Sequence, residues 1–449
     1  MNKYDVAIAG AGVAGCHAAR NLARMGRSVV LIDRRETSGL GHDWWDNVNM
    51  GIYDEVGLPA PEPPELLQGN INFKVFPPGQ KTFSFVADTA GKMNVDRKML
   101  AARQLRYAVE AGVRFMEKTA ALAPVVENDR VVGMLARAAD GSKIDIRASI
   151  TIDATGISGA LRQHSSAKYG FSKYISRSEM FVTHREIHKD DARERESRVV
   201  FGINNGVQWI HREQPGMADF FAGFINFPGR PRPRDIVAGL LAATPDVKPN
   251  LLRGGYGAPI PVRRGFDSFV ADGFVLCGDS ACQCNPIDGS GVGSSLRAAT
   301  IAARVIHSAL ENGRTDVEAL WPYNAEYKRL QDASFAQLHA LQMFLVSQPK
   351  KLLDILLGRG IIKPRDFWGT GKAKQESALG RIIKMMKMID NPSFIFKLVD
   401  GMSTAKKANE LYMQFPEKHD PAEFEKWRRG VNQLFATIPP ALDAPAEMK

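Results

Sequence analysis

The run Gly10-Ala-Gly-Val-Ala-Gly15 constrains this chain more than any other stretch, because an apolar segment, Tyr4 to Ala9, precedes it and a helix-like segment, His17 to Met25, follows. Strand, glycine turn and helix in that order open a βαβ unit. Gly10 permits the tight turn, Gly12 lets backbone approach a pyrophosphate, and Gly15 lets helix and strand pack closely, with phosphates facing the positive end of the helix. The whole run, Gly10, Ala11, Gly12, Val13, Ala14 and Gly15, is therefore assigned to a dinucleotide. A second apolar segment, Ser28 to Ile32, ends in Asp33 with Arg34 beside it. An acidic residue at that tip is placed to take a ribose 2′-hydroxyl. A glycine turn without a ligand leaves Asp33 unexplained.

Glycine fingerprints do not separate NAD from FAD, and a second segment makes the choice. Phe274 to Cys277 reads as a short strand followed by Gly278-Asp279, and the chain continues through Asn285-Pro286 to Gly289-Ser-Gly-Val-Gly293. Ser290 to Glu311 reads as a helix with Leu296, Ala299, Ala303 and Ile306 on one face, and its N-terminus points amides at an anion or a polarised ring edge. This stretch resembles the second FAD fingerprint of the flavoprotein family that joins aromatic hydroxylases, flavin-dependent halogenases and geranylgeranyl reductases. The resemblance implies Asp279 at the ribityl chain and Gly289, Ser290, Gly291, Val292 and Gly293 at the flavin pyrimidine, with Gly278 and Pro286 also among the cofactor-binding residues. It also implies an α/β fold of the p-hydroxybenzoate hydroxylase-like kind: a Rossmann-like FAD-binding domain, a β-rich substrate domain and a helical C-terminal region.

Asn94-Val-Asp-Arg97 resembles the family's arginine-led helix, which implies that Arg97 reaches the FAD phosphates; the bland alternative is an amphipathic helix with a surface arginine. Thr151-Ile-Asp-Ala-Thr-Gly156 resembles the strand returning to the dinucleotide domain, yet it carries Thr155-Gly156 where aromatic hydroxylases usually have Asp-Gly. That departure counts against NADPH-dependent hydroxylation.

With 449 residues, 44% of them hydrophobic, the chain buries a large core and divides into two or three domains. The anchors predict an FAD domain from 1–160 plus 255–310, a β-rich insertion over 161–254 that covers the flavin and contacts substrate, and a helical region over 311–449. No apolar run approaches the roughly 18–20 residues that span a bilayer, and the first residues lead straight into a strand, so a cytoplasmic protein is expected. Cys16, Cys277, Cys282 and Cys284 lack the spacing of a disulfide framework or a metal cluster. The formal charge is +10, and residues 350–387 hold ten Lys or Arg against Asp354, Asp366 and Glu376, interleaved with Leu, Ile and Met. Such a segment suits peripheral contact with an anionic membrane or closure over a lipid-like substrate; a solvated basic face is the plainer reading. Nucleic acid is not expected, since no recognised motif accompanies the charge.

Among the relatives, the geranylgeranyl reductases match best. Their Gly-aromatic-x-Trp segment is similar to Gly206-Val-Gln-Trp209, with Val207 in the aromatic place and Ile210-His-Arg212 replacing Phe-Pro. Gly257-Ala-Pro-Ile-Pro261, Asp272-Gly273 and Gly278-Asp279 follow the family order, and the resemblance covers roughly residues 3 to 310. It implies hydride and proton addition across isolated C=C bonds of a prenyl or other hydrophobic substrate in an apolar, aromatic-lined tunnel; Trp209 and Trp45 are the substrate candidates, with Trp44 and Trp45 open equally to a core or flavin-stacking role. Cys282, Cys284 and His42 are the candidate acids, although a buried cysteine is more often inert packing. The alternative is an FAD-dependent monooxygenase acting through a flavin hydroperoxide. Halogenation lacks its Trp-x-Trp-x-Ile-Pro segment, and an electron-transfer flavoprotein docking through the basic region lacks cysteines for a cluster. No second glycine-rich unit serves NAD(P)H, so the electron donor is NAD(P)H bound transiently, reduced ferredoxin or a separate reductase; oligomeric state stays open.

Gly12→Val and Asp279→Ala are each expected to lower FAD occupancy, read as visible absorbance per polypeptide. A normally yellow Gly12→Val protein would overturn the assignment of the first fingerprint.

Overall fold

The computed structural model describes residues 4–69, 73–79, 85–87, 91–165, 171, 174–191, 196–361 and 392–442. Strands Tyr4–Ala9, from Val6 on, and Val29–Ile32 are continuously apolar because helices or further strands cover both faces of their sheet. They pair in parallel with each other, and Tyr4–Ala9 pairs in parallel with Lys143–Asp153, which in turn pairs in parallel with Phe274–Leu276. Arg114–Met116 and Val270–Ala271 close the two edges. Lys143–Asp153 changes partners midway: its first half runs against Arg130–Arg137, itself hairpinned to Ala120–Glu127. Helix Val13–Arg24 packs between helices Arg97–Glu110 and Val292–Glu311.

Close backbone approach holds the first turn together. Gly10 has φ +102°, and a Cβ on Gly15 would lie 1.8 Å from the Gly10 carbonyl oxygen. No side chain fits there without moving the helix off the strand.

The second sheet runs in the order 251–256, 180–189, 217–225, 206–211, 198–201, 73–76, 85–87, with Ile260–Pro261 beside Met180–Lys189. Most of its strands come from residues 161–254, the β-rich insertion read from the sequence. Phe73–Phe76 nevertheless joins it, in parallel with Arg198–Phe201, and local pattern does not encode a pairing over such a separation. Period-two alternation sends His184, Glu186, Ala218, Phe220 and Ala222 to one face, where helix Pro233–Ala242 covers them. Arg185, Phe221, Trp209, Val199 and Val75 occupy the opposite face. A small third sheet, Trp45–Asn49, Lys92–Asp96 and Leu66–Gly69, lies between the two larger ones.

Helices Val317–Tyr327, Ala333–Val346, Lys350–Gly358, Pro392–Met413 and Pro421–Ala436 complete the described chain. A π-helical turn, Lys328–Asp332, joins the first two of these and holds a fully buried ion pair of 2.6 Å. Asp332 also accepts the Gly265 N–H at 3.0 Å, and the Lys328 ammonium sits 4.1 Å over the Phe269 ring. The helical region is thereby clamped to the first domain. Of the basic stretch 350–387, the part up to 361 is described and buries Leu352, Leu356 and Leu357; the remainder lies outside the described residues. Among the described residues no helix is long and apolar enough to cross a membrane.

Gly15→Ala is expected to cost about 3 kcal/mol or more, since the new methyl meets backbone rather than a yielding side chain. Thermal unfolding checks it, and a wild-type midpoint would show that the approach is looser than described.

Candidate functional site

The parallel strands Tyr4–Ala9, Val29–Ile32, Lys143–Asp153 and Phe274–Leu276 end at Gly10, Asp33, Ala154 and Cys277, and all four of these residues line one cavity of about 1420 Å³. Ligands of open α/β sheets bind outside such strand ends. The volume exceeds the roughly 300–1,000 Å³ of an ordinary small-molecule site, which leaves room for a dinucleotide and a second molecule.

Two helix starts border the cavity. Helices Val13–Arg24 and Val292–Glu311 begin at Gly12 and Gly291 with no side-chain cap, whereas Asp96, Asp316 and Asp420 cap other helices of the chain. Their free first-turn amides form a cradle for anionic or polarised oxygens. A Cβ on Gly12 would meet no protein atom within 4 Å, so the space over that turn is open to a ligand. The distant segments touch directly: a Cβ on Gly278, at φ +77°, would sit 2.9 Å from the Ala14 methyl. Asp33 is held by N–H donation from Ala11 to Oδ2 and from Arg35 to Oδ1, both at 2.8 Å, which leaves each oxygen a further lone pair.

Gly10, Gly12, Val13, Ala14, Asp33 and Arg34 line the cavity, as do Arg97, Gly278, Asp279 and Gly289 to Gly293. Burial pushes the Asp279 carboxyl up, and the Arg97 charge pulls it back. Arg97 Nη1 donates to Asp46. Ala11, Gly15 and Pro286 lie behind the wall: Ala11 positions Asp33, Gly15 packs on Gly10, and Pro286 accepts a hydrogen bond from Gln342 at 2.6 Å.

Beyond the cradle the cavity runs over the second sheet. Phe73, Val199, Phe201, Val207, Trp209 and Phe221 give it an apolar floor. Trp209 stacks on Phe221 at 3.8 Å and 12°. Trp45 borders the same space from the third sheet.

The three acid candidates separate. His42 lines the cavity, its ring parallel to Trp44 at 4.5 Å, and its buried Nδ1 has no protein partner. Burial, helped by the nearby Arg97 charge, lowers its pKa to about 4. Cys282 sits at φ +58°, turned into the core rather than toward the cavity, and burial pushes its thiol up to about 12. Cys284 is equally buried, donates to the Pro261 carbonyl at 2.6 Å, and is also raised by burial. The left-handed turn after Asp279 rotates both thiols inward, which sequence spacing does not reveal.

Sequence reasoning missed the charged groups of the chamber. Arg185, Asp219 and Asp46 all border the cavity, and His211 Nδ1 faces Glu213 Oε1 at 3.0 Å on the same wall. Alternation on a strand marks their face but not their partners.

Residues 5–172 match the family described as FAD dependent oxidoreductase. Digeranylgeranylglycerophospholipid reductase of Sulfolobus acidocaldarius is 27% identical over 444 residues, covering 96% of this chain and 97% of the relative. The protein of the same description from Methanoculleus marisnigri is 28% identical over 338 residues, 73% of this chain and 82% of the relative. Among solved structures, a geranylgeranyl bacteriochlorophyll reductase-like protein from Thermoplasma acidophilum superposes with a TM-score of 0.74 at 19% identity, over 89% of this chain and all of that one. A flavin-dependent brominase superposes with a TM-score of 0.59 at 17% identity, over 96% of this chain and 100% of its own. These structures share the fold, and together with the relatives they identify FAD as the cofactor.

In the native protein at pH 8, Cys282 and Cys284 are expected to resist a small alkylating reagent and to label fully only in denaturant. Rapid native labelling of either, mapped by mass spectrometry, would place a thiolate at the cavity after all.

Proposed function

We propose that this chain, an FAD-dependent oxidoreductase with geranylgeranyl reductase-like relatives, saturates isolated C=C bonds of a prenyl lipid or a similarly apolar substrate. The observation that carries this reading is continuity: one cavity joins the double-fingerprint cradle to an apolar, aromatic floor. When bound and reduced, FAD supplies the hydride. The amides at Gly12 and Gly291, with Arg97, hold its phosphates and ring edge, while Asp33 and Asp279 take ribose and ribityl hydroxyls.

The floor residues bind the chain and exclude water. Phe221 and Trp209 offer stacked faces rather than hydrogen bonds, so an alkene loses nothing by leaving solvent there. Proton delivery falls to His42, which alone of the three candidates reaches the cavity. Its imidazole is neutral at pH 7, so it passes a proton through an N–H and does not act as a standing imidazolium, and its buried Nδ1 has no protein partner. Reducing equivalents come from outside the chain, from NAD(P)H or reduced ferredoxin. An open pocket of about 520 Å³ beside His42, bordered by Arg34, Arg35 and Lys98, supports an anionic donor. Peripheral membrane contact through the basic stretch 350–387 accords with a lipid substrate.

The reading is tested by reducing the holoprotein under argon, adding polyprenyl lipids and following flavin absorbance. Reoxidation without oxygen, with saturated products by mass spectrometry, is the expected result, and His42→Gln is expected to slow it roughly 100-fold. Reoxidation only after oxygen enters, with a product heavier by one oxygen atom, would make the protein a monooxygenase.

A further inference from the structure

The second sheet places Arg185, Phe221, Trp209, Val199 and Val75 in one row across its cavity face. The row is apolar except at the end nearest the first domain, where a guanidinium stands. Arg185 donates from Nε and Nη2 to the two oxygens of Asp219, at 2.9 and 2.6 Å, and from Nη1 to Asp46 at 3.1 Å. Trp44, Trp45 and Trp209 surround it with ring centroids at 5.7, 5.8 and 5.4 Å. Asp219 is fully buried, and its Oδ2 also accepts the Trp209 indole N–H at 3.2 Å.

We propose that the Arg185–Asp219 pair is a positioning unit that fixes the Trp209 indole and thereby sets which segment of an apolar chain lies at the first-domain end of the chamber. The inference rests on the reading that the chamber takes such a chain. Burying a guanidinium and a carboxylate carries a large desolvation penalty, and apolar residues of similar volume would often be at least as stable. Stability therefore does not explain the pair. Geometry does: a planar fork on a carboxylate holds Asp219 in one orientation, Asp219 holds the indole edge, and Phe221 holds the indole face. Asp46 ties this assembly to the third sheet, next to Trp45, so the two tryptophans face the cavity at a fixed spacing. Pairwise aromatic geometry and one anchored N–H decide where a chain without hydrogen-bonding groups comes to rest.

The test uses the FAD-loaded full chain with Arg185→Met/Asp219→Leu, which removes both charges together, and with Arg185→Lys, which keeps the charge but loses the fork. Both are expected to retain FAD, to raise KM for a long prenyl substrate about tenfold with a smaller change in kcat, and to shift which double bonds are saturated. Wild-type KM and product pattern in the double variant, or restoration by Arg185→Lys, would overturn the inference. Independently of turnover, the emission of Trp209, isolated in each background as the difference that Trp209→Phe makes there, is expected to shift to the red and lose anisotropy in both variants. An unchanged component would overturn the inference whatever the substrate proves to be. A wild-type protein that saturates no prenyl lipid would sink the reaction reading, and the indole signal would still decide this one.

Discussion

The contact of Gly278 with Ala14 is the constraint on which the rest of the site depends. It brings two segments more than 250 residues apart in the chain to van der Waals distance, and with them the uncapped starts of helices Val13–Arg24 and Val292–Glu311. Each start alone is a weak anion site, because a helix dipole falls off within a turn and is screened in solvent. Both border one cavity large enough for a long cofactor. Side chains at Gly10, Gly15 or Gly278 would push these surfaces apart, so the cradle is made by the absence of atoms as much as by their presence.

Charge is treated differently in the two halves of the molecule. Lys328 and Asp332 are buried as a closed pair whose remaining bonds go to the carbonyl of Phe266 and the N–H of Gly265, and they lock the helical region onto the first domain without touching the cavity. Arg185, Asp219 and Asp46 are also mutually satisfied, but at the wall of the chamber, where their arrangement dictates the position of aromatic rings. The first pair answers to folding and the second to what the chamber accepts.

The low pKa of His42 and the high pKa of Cys282 have one origin, since burial disfavours whichever form carries charge. The consequences differ. A neutral imidazole at the cavity wall still holds a transferable proton, whereas a thiol packed in the core has nowhere to deliver one.

The glycine turn, Asp33 and the second fingerprint were legible in the chain because each depends on short-range geometry: positive φ, close approach and an acidic residue at a strand tip. Those features by themselves determined a dinucleotide site and the strands that carry it, while the resemblance of the second segment to a known fingerprint implied FAD. The inward rotation of Cys282 and Cys284, the recruitment of Phe73–Phe76 into the second sheet and the meeting of Arg185, Asp219 and Asp46 were decided only by the tertiary structure. Their partners lie tens to more than a hundred residues away, and what a side chain does once buried depends on which distant group meets it there.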